Sequence, residues 1–201
     1  MTAAADPDTQ LMIRVQRDEA SSFGELLDRN RSLVVNYLAR MVANRAIAEE
    51  LAQDVFIRIY RSRGTYEPTA KFSTWLYRIA TNVALNYFRD EKRAQNNISL
   101  DMEDAAQIRR EAADQAPLVE DRLVREVLLR QIRRAVRALP PKQRAAVIMH
   151  KYEGMDYAQI ARVLGCSPSA VKAVMFRAYE TLRTRLRSHA RAAIAYPANR
   201  R

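Results

Sequence analysis

Apolar positions along this chain recur at helical spacing and nowhere alternate at period two. Leu33, Val34, Tyr37, Leu38, Met41 and Val42 form one stripe, and Leu51, Ala52, Val55, Phe56, Ile59 and Tyr60 a second. Asn44-Arg45 is the expected corner between them, and Gly64 the expected stop of the second helix. Pro68 interrupts the periodicity, so 65–71 is read as a loop. A third long helix is expected from the N-cap Ser73, with Leu76, Ile79, Ala80, Val83, Ala84 and Tyr87 on its inner face. The pattern dissolves between about 94 and 121, where Asn96-Asn97, scattered acids and Pro117 suggest a flexible or loosely helical connector. It returns with Leu123, Val127, Leu128, Ile132, Val136 and Leu139, and Pro140-Pro141 then opens a helix from Lys142 to about Tyr152. The expected fold is all-α, with two small helical domains joined by a flexible acidic linker.

Composition supports this reading. Only 4 Gly and 7 Pro occur in 201 residues, too few for a turn-rich β fold, and the hydrophobic share of 48% is enough for a packed core. One cysteine, Cys166, excludes an internal disulfide, and it is read as a small buried plug in a turn. His150 and His189 have no partners at ligand spacing, so neither a metal site nor a cofactor is expected. No apolar run reaches the roughly 18 residues of a membrane span, and the N-terminus lacks the pattern of a secretory signal. The expectation is a cytoplasmic protein without membrane insertion and without a C-terminal regulatory domain. It is not expected to be an enzyme, because no nucleophile–base pair or Gly-rich phosphate loop appears.

Charge divides the chain. The formal net charge is +11, with +2 over residues 1–96, −5 over 97–121 and +14 over 122–201. A localised excess of this size points to nucleic acid. The segmentation drawn from pattern and charge is 1–95, a linker at 96–121, a DNA-binding domain at 122–187 and a short basic tail at 188–201.

Residues 156–182 fit a helix-turn-helix. Asp156 caps a short helix that turns Ile160, Ala161 and Leu164 inward, Gly165 sits where positive φ is needed, and Ser167-Pro168 starts the second helix. Val171, Val174 or Met175, Ala178 and Leu182 then face inward. Ser169, Ala170, Lys172 and Ala173 lie at the end that enters a major groove, while Phe176, Arg177 and Arg183 look outward further along. Arg177 and Arg183 suit phosphates. A second signal surrounds the single tryptophan, Trp75, with Tyr66, Phe72 and Tyr77 nearby. Beside it runs an outward stripe of Arg78, Asn82, Asn86, Arg89 and Arg93, a combination suited to unpaired bases. A third is the outward face Glu50, Gln53, Asp54, Ile57, Arg58 and Arg61, where an isoleucine among charges resembles a protein-binding rim.

Together AEELAQDVFIRIYRS (48–62), KFSTWLYRIATNVALNYFRDEKR (71–93) and the stretch from Leu139 to Arg183 resemble, in order and spacing, regions two and four of a bacterial RNA polymerase sigma factor of the extracytoplasmic-function group. The resemblance implies an alternative sigma factor that directs promoter-specific initiation. Its implied partners are core RNA polymerase, promoter DNA (duplex and melted non-template strand) and an anti-sigma factor. It implies that Gln53, Asp54, Ile57, Arg58 and Arg61 dock on the polymerase clamp. Tyr66, Phe72, Trp75, Arg78, Asn82 and Arg89 would melt the minus-ten element, with Tyr66 and Phe72 forming a pocket for a flipped base. Ser169, Ala170, Lys172, Ala173, Phe176, Arg177 and Arg183 would read the minus-thirty-five element. Where the family commonly has Ser-Arg after the recognition lysine, this chain has Ala173-Val174. Two rivals remain at this stage: a helix-turn-helix regulator that binds duplex DNA unaided, and an adaptor that binds polymerase or an anti-sigma factor without reading DNA.

Overall fold

The structure is a computed structural model that describes residues 6–98 and 120–194. Eight α-helices account for nearly all described residues: α1 (Pro7–Gln16), α2 (Ala20–Val42), α3 (Arg45–Arg61), α4 (Phe72–Ile98), α5 (Glu120–Arg137), α6 (Pro141–Tyr152), α7 (Tyr157–Leu164) and α8 (Pro168–Ile194). A single 3-10 turn spans Arg63–Thr65. No strand occurs among the described residues. The all-α expectation therefore holds. The connector 99–119, the side chains of Leu123 and His189, and residues 195–201 lie outside what is described.

The first four helices pack together, with α2 against α1, α3 and α4, and α3 against α4. In the second unit α8 carries α5, α6 and α7. The corner between α2 and α3 follows from the sequence. Ala43 takes a left-handed conformation (φ 60°) and returns its N–H to Ala39. Asn44 then caps α3 by accepting from the N–H groups of Ala46 and Ile47. The buried residues of both units form one continuous cluster, so the core does not stop at the boundary between them.

Three details depart from the periodicity. Leu33 is 47% exposed, because it stands one residue, about 100° of helix, behind the buried Val34. Tyr60 is also exposed, but its ring lies 5.0 Å from that of Phe23 and takes the Arg63 guanidinium at 4.3 Å. Val127 and Leu128 are exposed, since α5 packs chiefly on α8 and buries only its later turns. The sequence pattern did not reveal α1 at all. Its signals were local: Asp6 caps it by accepting from Thr9 N–H at 3.1 Å, and Pro7 occupies the first turn.

Two tyrosines at the centre carry a pH dependence. The Tyr37 hydroxyl meets Thr81 Oγ1 at 2.7 Å, and Tyr77 donates to the Glu153 carboxylate. Burial, above all, pushes the pKa of both tyrosines up; at Tyr77 the Glu153 carboxylate adds to the shift. A phenol that holds its proton longer in the folded chain contributes stability that is complete below the unfolded pKa of about 10 and is lost as pH rises beyond it. The urea midpoint should therefore stay level through neutrality and fall above about pH 10. In a Tyr37→Phe/Tyr77→Phe variant that alkaline fall should be shallower. An equal slope in both proteins would show that these phenols do not control it.

Candidate protein and nucleic-acid interfaces

The five candidates on α3 divide between two sides of the helix. Gln53, Ile57 and Arg61, four residues apart, line a groove of about 480 Å³ between α2 and α3. Its other wall is Phe23, Leu27, Arg31 and Val35 of α2, a contribution the sequence reading missed because it began α2's pattern at Leu33. Ile57 is 49% exposed at the edge of this apolar groove. Asp54 and Arg58 form an ion pair at 2.9 Å and turn toward α4. Their hydrogen bond, more than any other factor, raises the Arg58 pKa. The pair is solvent-exposed, so it orders the helix surface more than it stabilises the fold.

The loop after the 3-10 turn is tied down by α1. Thr9 is fully buried, and its Oγ1 accepts from Phe72 N–H at 3.1 Å and from the Tyr66 hydroxyl at 3.4 Å. Gln16 adds a 2.8 Å bond to the Tyr66 carbonyl. Thus one short helix holds both ends of the segment 66–72. Tyr66 and Phe72 are both buried, with the half-buried Trp75 packed on them at centroid distances of 5.0 and 6.1 Å. The expected base-stacking pocket is not open here: both rings are buried, packed on each other and on Trp75, while α1 binds the loop at its two ends. Of the expected stripe, Asn86 is half-buried in a groove with Asp54 and Arg58, and Arg93 is exposed. Arg78, Asn82 and Arg89 are exposed on α4, and Asn82 borders a shallow groove with Arg58, Arg61 and Ile79.

The helix-turn-helix is confirmed in its caps. Asp156 Oδ1 accepts from Gln159 N–H at 2.7 Å while Gln159 Oε1 accepts from Asp156 N–H at 2.9 Å, a reciprocal capping box. Gly165 has φ +64°, a conformation that favours glycine and ends α7. Ser167 caps α8 by accepting from Ala170 N–H at 3.2 Å. Cys166 is exposed, contrary to expectation. Its N–H bonds to the Ala161 carbonyl, so the backbone closes the turn and no apolar plug is needed. His150 donates from Nδ1–H to the Met155 carbonyl at 3.0 Å, a satisfied histidine.

On α8, Ser169, Lys172, Ala173, Phe176 and Arg177 form an exposed face, with Ala170 half-buried at its edge. Phe176 is 68% exposed. Arg177 donates to the carbonyl of Ala173, and Arg183 is paired with Glu180, whereas Lys172 has no ion pair among the described residues. Val174 is partly buried against the core, so it lies off the outward face.

Relatives agree with this arrangement. Residues 26–94 match the Sigma-70 region 2 model, and 129–182 match Sigma-70, region 4. The RNA polymerase sigma factor CarQ of Myxococcus xanthus is 37% identical over 172 residues, covering 86% of this chain and 93% of the relative. The extracytoplasmic-function sigma factor BldN of Streptomyces coelicolor is 33% identical over 193 residues, covering 94% and 70%. Among solved structures, CnrH in complex with the cytosolic domain of CnrY shares the fold, with TM-score 0.65, 20% identity and coverage of 91% and 99%. The sigma factor RpoE bound to the anti-sigma factor NepR, from Bartonella quintana, gives TM-score 0.61 at 20% identity, covering 82% and 96%.

The Tyr66 environment makes a direct prediction. Tyr66→Ala should lower stability by about 3–5 kcal/mol, the cost of emptying a buried aromatic site. Tyr66→Phe, which loses only the hydroxyl contact to Thr9, should cost about 1 kcal/mol. Urea unfolding reads both; a near-neutral Tyr66→Ala would show that the ring is not part of the core. With both regions matched in order and a relative similar over most of its length, the chain belongs to the extracytoplasmic-function group of bacterial RNA polymerase sigma factors.

Proposed function

We propose that this chain works as an alternative sigma factor by dividing three tasks among the surfaces described above. The groove between α2 and α3, with Gln53, Ile57 and Arg61 on one wall, receives core RNA polymerase. Asp54 and Arg58 flank it. The stripe Arg78, Asn82 and Arg89, with the edge of Trp75, holds the melted non-template strand of the minus-ten element. Tyr66 and Phe72 take part by fixing the loop that leads into α4. The outward face of α8, from Ser169 to Arg177 with Arg183 beyond, reads the minus-thirty-five element in duplex form.

The single observation that carries this reading is the coexistence, in one chain, of an exposed recognition face on α8 and an apolar groove edged by Ile57. A regulator that binds duplex DNA unaided has no use for the second. An adaptor has no use for the first. The proposed unit limits are 1–95 and 122–187. The chain itself is proposed to catalyse nothing, since bond formation belongs to the polymerase, and to act in the cytoplasm where the polymerase is. No described helix is long and apolar enough to cross a membrane. CnrH was solved in complex with the cytosolic domain of CnrY and the Bartonella RpoE with the anti-sigma factor NepR, and an anti-sigma factor is proposed for this chain as well.

Run-off transcription with purified core polymerase tests the whole assignment, and failure to direct any promoter would remove it. Ile57→Glu places a charge in an apolar contact at an exposed position. Affinity for core polymerase should drop by about 2 kcal/mol or more, with helix content unchanged. Unaltered core affinity would exclude the groove. Lys172→Ala should weaken binding of an upstream duplex by about 1–3 kcal/mol and relax preference at one position if the ammonium meets a base edge. A uniform loss on all sequences, with the salt slope reduced by about one unit, would place it on phosphate instead.

A further inference from the structure

A crevice of about 400 Å³ lies between α2, α5 and α6 and shares no lining residue with the three surfaces assigned above. Arg40 lines it from α2, Arg133 and Arg137 from α5, and Tyr152 from the last turn of α6. Ala39, Val136 and the fully buried Ile148 add apolar surface, and the exposed Asn36 adds an amide. No carboxylate is among the described residues that line it. Glu153, next in sequence to Tyr152, is already engaged: its side chain is only 10% exposed, accepts from the Tyr77 hydroxyl and pairs with Arg40 at 3.6 Å.

Charge and shape in this crevice point to one kind of ligand. Arg133 and Arg137 stand one helical turn apart, where side chains are neighbours at about 5–6 Å between Cβ atoms. Arg130 and Arg134 lie on the same exposed side of α5. Positive charge is crowded here, and Arg137 adds to the burial that lowers the pKa of Arg144 on α6. Like charges gathered from three helices repel one another until an anion comes between them, and paired guanidinium forks match the oxygens of a diphosphate. Phosphate alone has no use for the rest of the lining. Tyr152 carries the Arg40 guanidinium at 4.5 Å from its ring centroid, yet 54% of the residue stays exposed, enough for a planar base to stack. Val136 and Ile148 extend the apolar surface, and the Asn36 amide supplies donors and an acceptor for a base edge. The volume lies within the range of small-molecule sites, about 300–1,000 Å³.

We propose that this crevice binds a nucleoside diphosphate, whose phosphates meet Arg133 and Arg137 and whose base lies against Tyr152. The site stands on these residues and does not rest on the sigma assignment.

Isothermal titration of the full chain at physiological salt, where long-range attraction is screened, compares four probes: ADP, GDP, inorganic pyrophosphate and adenosine. At least one of the two nucleotides should saturate a single site per chain, more tightly than either pyrophosphate or adenosine. Arg133→Gln/Arg137→Gln should weaken that binding by at least about tenfold, as two charge-assisted contacts are lost. Both side chains are exposed, so the melting temperature without ligand should not move. Arg133→Glu is the second variant, should the first not fold, with the same loss expected. Tyr152→Ala should weaken nucleotide binding several-fold and leave pyrophosphate unchanged. Absence of saturable nucleotide binding would overturn the site, as would full affinity in the folded arginine variants. Pyrophosphate that binds as tightly as both nucleotides, with no effect of Tyr152→Ala, would leave only an anion-binding patch and overturn the nucleotide reading.

Discussion

One helix, α4, has to satisfy three environments on a single circumference, and the rest of the molecule is arranged around that constraint. Leu76, Val83 and Ala80 meet the helices of the first unit. About 100° of helix per residue then separates them from Tyr77 and, three turns on, Phe88, which face the second unit. A further step brings Arg78, Asn82 and Arg89 to solvent. Small residues make this possible. Ala80 and Ala84 are fully buried, and with only a methyl group each they let neighbouring helices approach α4 on two sides at once. A bulkier residue at either place would push one neighbour away and open one of the two interfaces.

The same crowding explains which parts of the molecule could be read in the sequence. Periodicity found α3, α4 and the helix-turn-helix because each has a dominant buried stripe and recognisable ends. Asn44, Asp156, Gly165 and Ser167 mark boundaries through backbone chemistry that depends only on local sequence. The outward stripe on α4 was legible for the same reason. Helix α1 was overlooked although Leu11, Met12 and Val15 stand at helical spacing and are buried: its stripe is only three residues long, and the fully buried Thr9 does not look like a core position. Thr9 is buried for its hydrogen bonds and not for apolar area, so hydrophobic spacing cannot reveal it.

Site chemistry was legible where it depends on what one helix presents, and illegible where it depends on what another covers. Ile57, Lys172 and Phe176 needed only the rotation of their own helices to be placed outward. Tyr66 and Phe72 are different. Their sequence context, aromatics beside a loop and a basic helix, suits base stacking as well as core packing. What decides is the anchoring of their loop by α1, through hydrogen bonds fifty to sixty residues distant in the chain, with the rings packed on each other and on Trp75. The α2 wall of the groove proposed for polymerase is illegible on the same grounds, because Phe23 and Leu27 become meaningful only once α3 lies beside them.

Electrostatics complete the division of labour. Much of the positive charge of the first unit is matched locally: Arg29 with Asp8, Arg45 with Glu49, Arg58 with Asp54 and Arg63 with Asp18. Pairs like these contribute little stability, but they remove cations from the field that a distant phosphate would feel. In the recognition turn the balance differs. Lys172 has no acidic neighbour within ion-pair distance, and the exposed start of α8 carries no carboxylate before Glu180. The helix N-terminus there adds its own partial positive charge, directed at whatever anion approaches Ser169 and Ala170. Under the proposed assignment, a net charge near neutrality in the first unit and a strong excess in the second suit different interactions: shape and apolar contact on α3, long-range attraction on α8. The apolar contact needs a partner of matching shape before it gains any energy, whereas attraction to duplex DNA acts at the range of the screening length, about 8 Å at physiological salt.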